Sequence, residues 1–157
     1  MVYITSRIKL EELDQRHAAP LYEVIEASRA GLLNLIWAES ATLESTKKYI
    51  DTPRGKRNVI TVNNEIAGVI ETWQPDEDGF ITVGYWLSTK FRGYGIMQLV
   101  LRKVSDSIVA YAPIKAKVKT GNKKSLRMLL GAGFVMYGAS STWKYLMRPQ
   151  KDLPEGE

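Results

Sequence analysis

Gly93 and Gly95 stand two residues apart in the run Lys90-Phe-Arg-Gly-Tyr-Gly95, where one apolar stretch ends and another begins. Glycine leaves room for the backbone to bend and for a ligand to approach main-chain N–H groups. A helix that starts there has unpaired N–H groups in its first turn and the positive end of its dipole. Such a turn can hold an anion, phosphate above all. The same glycines could equally serve a steric role where a helix begins. Other chemistries are narrower. The chain has no cysteine, which removes thiol nucleophiles and thiolate metal sites, and a single histidine, His17, argues against a histidine metal cluster or a Ser/His triad. We expect no metal, and His17 reads as a residue at the start of a helix rather than a base.

The elements that must position this turn can be read on either side of it. Phe80 to Leu87 reads as a strand, Ser88 to Arg92 as a turn, and Gly93 onward as the start of an amphipathic helix. Along that helix Ile96, Leu99, Val100, Val104, Ile108 and Tyr111 share a face until Pro113 stops it. Upstream, Ile4, Ile8 and Leu10 mark an extended segment that breaks at Glu11 to Asp14. Leu21, Val24, Ile25 and Leu32 predict a helix from Ala18 to Leu33, and a short one follows from Leu43 to Ile50, with Thr42 as its cap and Trp37 nearby. Asn58 to Val62 and Glu65 to Trp73 form a hairpin around Asn63-Asn64, so three consecutive strands make an antiparallel meander.

Downstream, Ile114-Lys-Ala-Lys-Val-Lys119 alternates strictly, as a strand with its three lysines on a wet face or as a ladder for phosphate. Asn122 to Phe134 predicts a short helix closed by a glycine, then a strand, and Thr142 to Met147 supplies the last one. Pro149 to Glu157 is charged and proline-containing, and reads as a disordered tail.

A chain of 157 residues suits one well-packed domain, here residues 1–148. No apolar stretch approaches the roughly 20 residues that cross a bilayer, and no basic and apolar leader opens the sequence, so we expect a soluble, cytoplasmic protein. The net charge of +5 suits nucleic acid, an acidic surface or a polyanionic cofactor. Scattered lysines and arginines argue against a nucleic-acid partner.

Lys90-Phe-Arg-Gly-Tyr-Gly95 resembles the Arg/Gln-x-x-Gly-x-Gly/Ala signature of the Gcn5-related N-acetyltransferases (GNAT), with Lys90 where that pattern prefers Arg or Gln. Gly-Tyr-Trp-Leu-Ser88 before it, and Arg7 to Tyr22, resemble the RimJ/RimL branch. Asn122-Lys-Lys-Ser125 and Gly133-Phe134 fit the family's second motif, so the likeness spans about Ile4 to Met147. The resemblance implies a mixed α/β (α+β) fold. It has a mostly antiparallel central sheet, helices on both faces, and a splayed V between the strand ending at Leu87 and the one starting at Ile114.

Acetyl-coenzyme A is the implied co-substrate, and the implied activity is N-acetyl transfer to a primary amine, either a protein N-terminal α-amine or a small amine. The pantetheine arm would pair with main-chain groups of Tyr85, Trp86 and Leu87. The amides of Arg92, Gly93, Tyr94, Gly95, Ile96 and Met97 would receive the pyrophosphate. The family's frequent tyrosine falls at Leu129, and the branch uses instead the serine that matches Ser125; Asn122 would orient pantetheine. Both usual positions for a catalytic carboxylate are empty, at Thr82 and around Lys144, which leaves Glu71 as a water-mediated base or as a solvated strand carboxylate. A non-catalytic acyl-coenzyme A sensor is the alternative reading, and a small nucleic-acid-associated protein a third.

Overall fold

Period-two alternation in Ile8–Glu12 and Ile114–Lys119 becomes strand, with Ile8, Leu10, Ile114, Ala116 and Val118 turned to the interior. The computed structural model describes residues 1–31, 38, 40–52 and 55–152. In it the chain forms two compact units, Met1–Thr72 with Gly84–Ile96, and Trp73–Val83 with the chain from Met97.

The first unit holds β1 (Val2–Tyr3), β2 (Ile8–Glu12), α1 (Ala18–Ser28), α2 (Leu43–Asp51), β3 (Lys56–Val62), β4 (Glu65–Thr72) and the second half of β5 (Ile81–Leu87). β1 to β4 pair antiparallel in chain order, with Leu10 opposite Ile60 and Val59 opposite Val69. Asn63 and Asn64 turn the β3–β4 hairpin, both with positive φ (49° and 66°), which asparagine tolerates better than most residues. Leu21 and Ile25 of α1 pack with Ile50, Val59, Val69 and Trp86 as the core of this unit.

In this unit side chains cap α2 and the 3₁₀ turn Gln15–His17 that leads into α1. Asp14 Oδ1 accepts from Arg16 N at 2.9 Å, and His17 Nδ1 accepts from Asp14 N at 3.1 Å. His17 is therefore the residue at the start of a helix that its sequence context predicts. Thr42 Oγ1 accepts from Ser45 N at 3.0 Å, while Ser45 Oγ accepts from Thr42 N at 2.8 Å. α1 ends at Ser28 and passes into one 3₁₀ turn, Arg29–Gly31, so the predicted helix is shorter; its last two residues, with Trp37, lie outside the described residues.

The second unit holds the first half of β5, α3 (Ile96–Ile108) from Met97 on, β6 (Ile114–Lys119), α4 (Lys123–Gly131), β7 (Val135–Ala139) and β8 (Trp143–Arg148). β5 runs parallel to β6 with Ile81 opposite Ile114 and Thr82 opposite Lys115. β6 pairs antiparallel with β8 from Ile114↔Arg148 to Lys119↔Trp143, and β7 pairs with the other side of β8. The fold is mixed α/β, with eight mostly antiparallel strands and four α-helices among the described residues.

Two expectations are corrected in this part of the chain. α3 begins at Ile96, not Gly93, because the positive φ of Gly93 and Gly95 is incompatible with a right-handed helix. Its buried residues include Met97, Leu101 and Ser105, whereas Leu99 and Tyr111 are exposed. Lys151 N donates to Val109 O at 2.8 Å, and residues 153–157 of the expected tail lie outside the described residues. α4 closes as predicted: Phe134 N donates to Leu129 O and Gly133 N to Leu130 O, the paired bonds of a Schellman motif, with Phe134 and Leu129 both buried.

Candidate active site

The glycine turn is assembled from short-range bonds that fix its neighbours and leave its centre open. Ser88 N donates to Ala67 O at 2.7 Å, tying the end of β5 to β4, and Thr89 N donates to Ser28 Oγ at 3.3 Å. Thr89–Phe91 then makes one 3₁₀ turn, with Phe91 N on Ser88 O and Arg92 N on Thr89 O. Arg92 folds back so that Nε donates to Leu87 O at 3.1 Å, and partial burial lowers its guanidinium pKa. Lys90, where the resembled signature prefers Arg or Gln, pairs with Glu65 at 2.6 Å.

Beyond Arg92 the pattern changes. Gly93 and Gly95 have φ of 86° and 74°, and a Cβ on either would meet nothing within 4 Å. The glycines are therefore required by the backbone conformation and not by crowding from the protein. Among the described residues, no amide from Gly93 to Met97 donates to a backbone carbonyl outside the helix, and α3 has no acidic residue in its first turn. Together these leave N–H groups and the positive end of a helix dipole uncommitted, which is what an anion requires.

Residues 7–135 match the family profile described as an acetyltransferase (GNAT) domain. The chain belongs to the GNAT acetyltransferase family. It is an acetyl-coenzyme A-dependent N-acetyltransferase. Solved structures with the same fold include RimL, the ribosomal L7/L12 α-N-protein acetyltransferase, in complex with coenzyme A. That match has 20% identity, covers 94% of this chain and 97% of that one, and has a TM-score of 0.86. The microcin C7 self-immunity acetyltransferase, in complex with acetyl-CoA and AMP, matches at 20% identity over 93% and 94% with a TM-score of 0.85. An aminoglycoside acetyltransferase in complex with coenzyme A and kanamycin matches at 16% over 91% and 95%, with a TM-score of 0.76. No curated protein sequence gives a significant match.

The other sequence-predicted residues of this GNAT enzyme fall in both units. Tyr85, Trp86 and Leu87 lie in the half of β5 that belongs to the first unit, with Trp86 and Leu87 buried. Asn122 and Ser125 lie together in the second: Asn122 caps α4, its Oδ1 accepting from Ser125 N at 3.2 Å. Glu71, near the end of β4, is 9% exposed and accepts a short hydrogen bond from the Tyr49 hydroxyl, so it is not a solvated strand carboxylate. Among the described residues no cluster of histidine, aspartate and glutamate could hold a metal, and no helix is long and apolar enough to cross a membrane.

Sequence reasoning missed the partners of Glu71. Arg57 sits opposite it on β3, stacks 4.9 Å from the Tyr49 ring, and donates through Nη2 to Ile50 O at 2.8 Å. A guanidinium at the C-terminus of α2 also meets the negative end of that helix dipole. The basic loop before β3 was the only signal in the sequence, and it does not say which arginine turns inward. A cavity of about 910 Å³ in the first unit, lined in part by His17, Thr61, Glu65 and Lys90, was also not foreseen. Its polar side chains are largely matched among themselves, His17 Nε2 with Glu11 at 3.2 Å and Lys90 with Glu65.

Proposed function

We propose that this enzyme transfers the acetyl group of acetyl-coenzyme A to a primary amine, with the α-amine of a polypeptide N-terminus as its acceptor class and small amines as the other candidates. The observation that carries the reading is the open turn at Gly93 and Gly95, with left-handed φ at both glycines and no carboxylate in the first turn of α3. In this reading the amides from Gly93 to Met97 receive the pyrophosphate, the Arg92 amide being engaged by Thr89 O, and main-chain groups of Tyr85, Trp86 and Leu87 pair with the pantetheine amides as an added strand would.

The transfer needs a neutral amine to attack the thioester carbonyl, donors for the tetrahedral oxyanion, and a proton for the departing thiolate. Asn122 commits its Oδ1 to capping α4, which leaves its Nδ2–H groups to orient a pantetheine carbonyl. Ser125, in the first turn of that helix, supplies the hydroxyl that hydrogen-bonds the sulfur. Glu71, buried and held by Tyr49, accepts the amine proton through water.

Calorimetry and thermal denaturation with acetyl-coenzyme A, followed by transfer assays on N-terminal peptides, polyamines and aminoglycosides, test the proposal. A ligand selective for the folded state raises its stability by about 2.7 kcal/mol at 100 times its dissociation constant. The absence of both heat and a Tm shift at millimolar coenzyme A would reject it.

A further inference from the structure

The cavity of about 910 Å³ in the first unit falls in the range of small-molecule sites, about 300–1,000 Å³, and its wall carries three hydroxyl side chains that the fold leaves underused. Ser28 of α1, Thr61 of β3 and Ser88 just after β5 are 4%, 4% and 3% exposed. Thr61 Oγ1 has no hydrogen-bond partner among the described residues. Ser88 donates its backbone N–H to Ala67 O, but its side chain makes no cap bond to the 3₁₀ turn that it opens. Ser28 Oγ accepts from Thr89 N at 3.3 Å, which leaves its own O–H to donate. Buried polar side chains are nearly always paired, and a covered hydroxyl without a partner costs stability. The ionisable groups on the wall, by contrast, are engaged: Glu11 meets His17 Nε2 at 3.2 Å and Arg16 at 3.8 Å, and Lys90 meets Glu65 at 2.6 Å. Glu23 has no ion pair among the described residues, but it is exposed, where a single charge adds little.

We propose that this cavity is a binding site for an uncharged, polyhydroxylated small molecule of the sugar class, separate from the site assigned to acetyl-coenzyme A and its acceptor. Among the described residues none of Glu71, Tyr85 to Leu87 and Gly93 to Met97 lines it, so it holds a ligand whether or not the transfer takes place as described above. A charged ligand would have to break one of the ion pairs on the wall or bury its own charge unmatched, whereas a neutral one leaves them in place. Sugar hydroxyls both donate and accept, as the serine and threonine hydroxyls do, and the paired carboxylates of Glu11 and Glu65 keep lone pairs for further ligand O–H groups. Pro20, Val24, Ile66 and Phe91 make the rest of the wall apolar, which suits the C–H face of a sugar ring. Water satisfies hydroxyls but makes no use of such a wall. A ligand of this class has no amine and is not acetylated.

The experiment titrates the full chain with D-glucose, maltose and myo-inositol, beside spermidine and inorganic phosphate as charged probes, and reads calorimetric heat and Tm. At least one of the three neutral probes is expected to bind at millimolar concentration and to raise Tm, with its affinity unchanged when acetyl-coenzyme A is also present. The double variant Thr61→Val/Ser88→Ala removes the two unpartnered hydroxyls and is expected to weaken that binding about tenfold or more, with Tm of the free protein no lower than the parent's, since neither hydroxyl has a bond in the protein to lose. Ala27→Phe, at an exposed position of α1 that lines the cavity, fills it without touching the core and is expected to abolish the binding while coenzyme A affinity stays at the parent's value. No heat and no Tm shift with any neutral probe, tighter binding of spermidine or phosphate than of all three, displacement of the bound probe by acetyl-coenzyme A, or parent affinity in Ala27→Phe would each overturn the inference. None of these results bears on coenzyme A binding in the parent, which tests the transferase reading by itself.

Discussion

The Tyr49 hydroxyl donates to Oε1 of Glu71, joining α2 to the end of β4 through a carboxylate that is only 9% exposed. A buried carboxylate held by a directed donor keeps one orientation, which a general base needs and a solvated side chain lacks. Glu71→Gln preserves the acceptor for Tyr49 and the side-chain volume while removing the charge. We expect kcat to fall about 10²-fold and the pH profile to move to the alkaline side, because the amine must then reach its neutral form unaided. The pH dependence of kcat/KM, with Tm as the control for folding, checks this; a variant with the parent's rate and profile would remove Glu71 from the chemistry. Tyr49→Phe keeps the carboxylate and should cost less in rate than Glu71→Gln.

Gly93→Ala and Gly95→Ala separate ligand binding from packing. A Cβ at either position meets nothing in the protein, yet φ of 86° and 74° disfavours any L side chain. Left-handed backbone at a non-glycine residue costs about 1–2 kcal/mol, so Tm should drop modestly. Coenzyme A affinity should drop more, by about tenfold or beyond, because the open space is where the pyrophosphate approaches the amides. Calorimetry of the folded variants decides it: parent affinity in a destabilised protein would make the turn structural only.

The turn was legible in the sequence because glycine spacing and a following apolar periodicity are local signals. Its details were not, since nothing in Gly93-Tyr-Gly95 says that both glycines are left-handed and that the helix waits for Ile96. The strands, the cap at Thr42 and the glycine closure of α4 were readable for the same local reason. The face of α3 was misread at Leu99 because periodicity gives a stripe but not which edge of the stripe the sheet covers; Met97 and Leu101 occupy it. The two readings of Glu71 stayed open because its burial involves Tyr49, 22 positions away in sequence. Contacts of that separation leave no mark on a single chain's pattern.

Gly68 gives a stability prediction independent of the ligand. A Cβ there would lie 2.1 Å from the Trp86 carbonyl oxygen and 3.0 Å from Leu87 Cα, so β4 and β5 approach closely only because the side chain is missing. These are backbone atoms and cannot rotate away. Gly68→Ala should therefore destabilise by about 1–3 kcal/mol, the usual cost of overpacking, and urea denaturation will measure it. A change within about 0.5 kcal/mol, the range of an ordinary surface substitution, would mean that the two strands separate without penalty.

Ser125 is the most direct probe of the leaving-group step. Its backbone N–H is already engaged by Asn122 Oδ1 at 3.2 Å, so Ser125→Ala keeps the cap of α4 and removes only the hydroxyl. Asn122→Ala, by contrast, should lose the cap, about 1 kcal/mol, together with any pantetheine contact, and its effects on rate and stability would be mixed. If the Ser125 hydroxyl hydrogen-bonds the departing thiolate, turnover should fall about 10²-fold, the usual scale for one positioned donor. Tm and coenzyme A affinity should stay close to the parent's, because the pyrophosphate is assigned to the amides of Gly93 to Met97. A thiol-release assay with a good acceptor, run beside calorimetry on the same preparation, separates the two effects. Turnover within about threefold of the parent, far short of the loss of a positioned acid, would assign Ser125 to the first turn of α4 and nothing more.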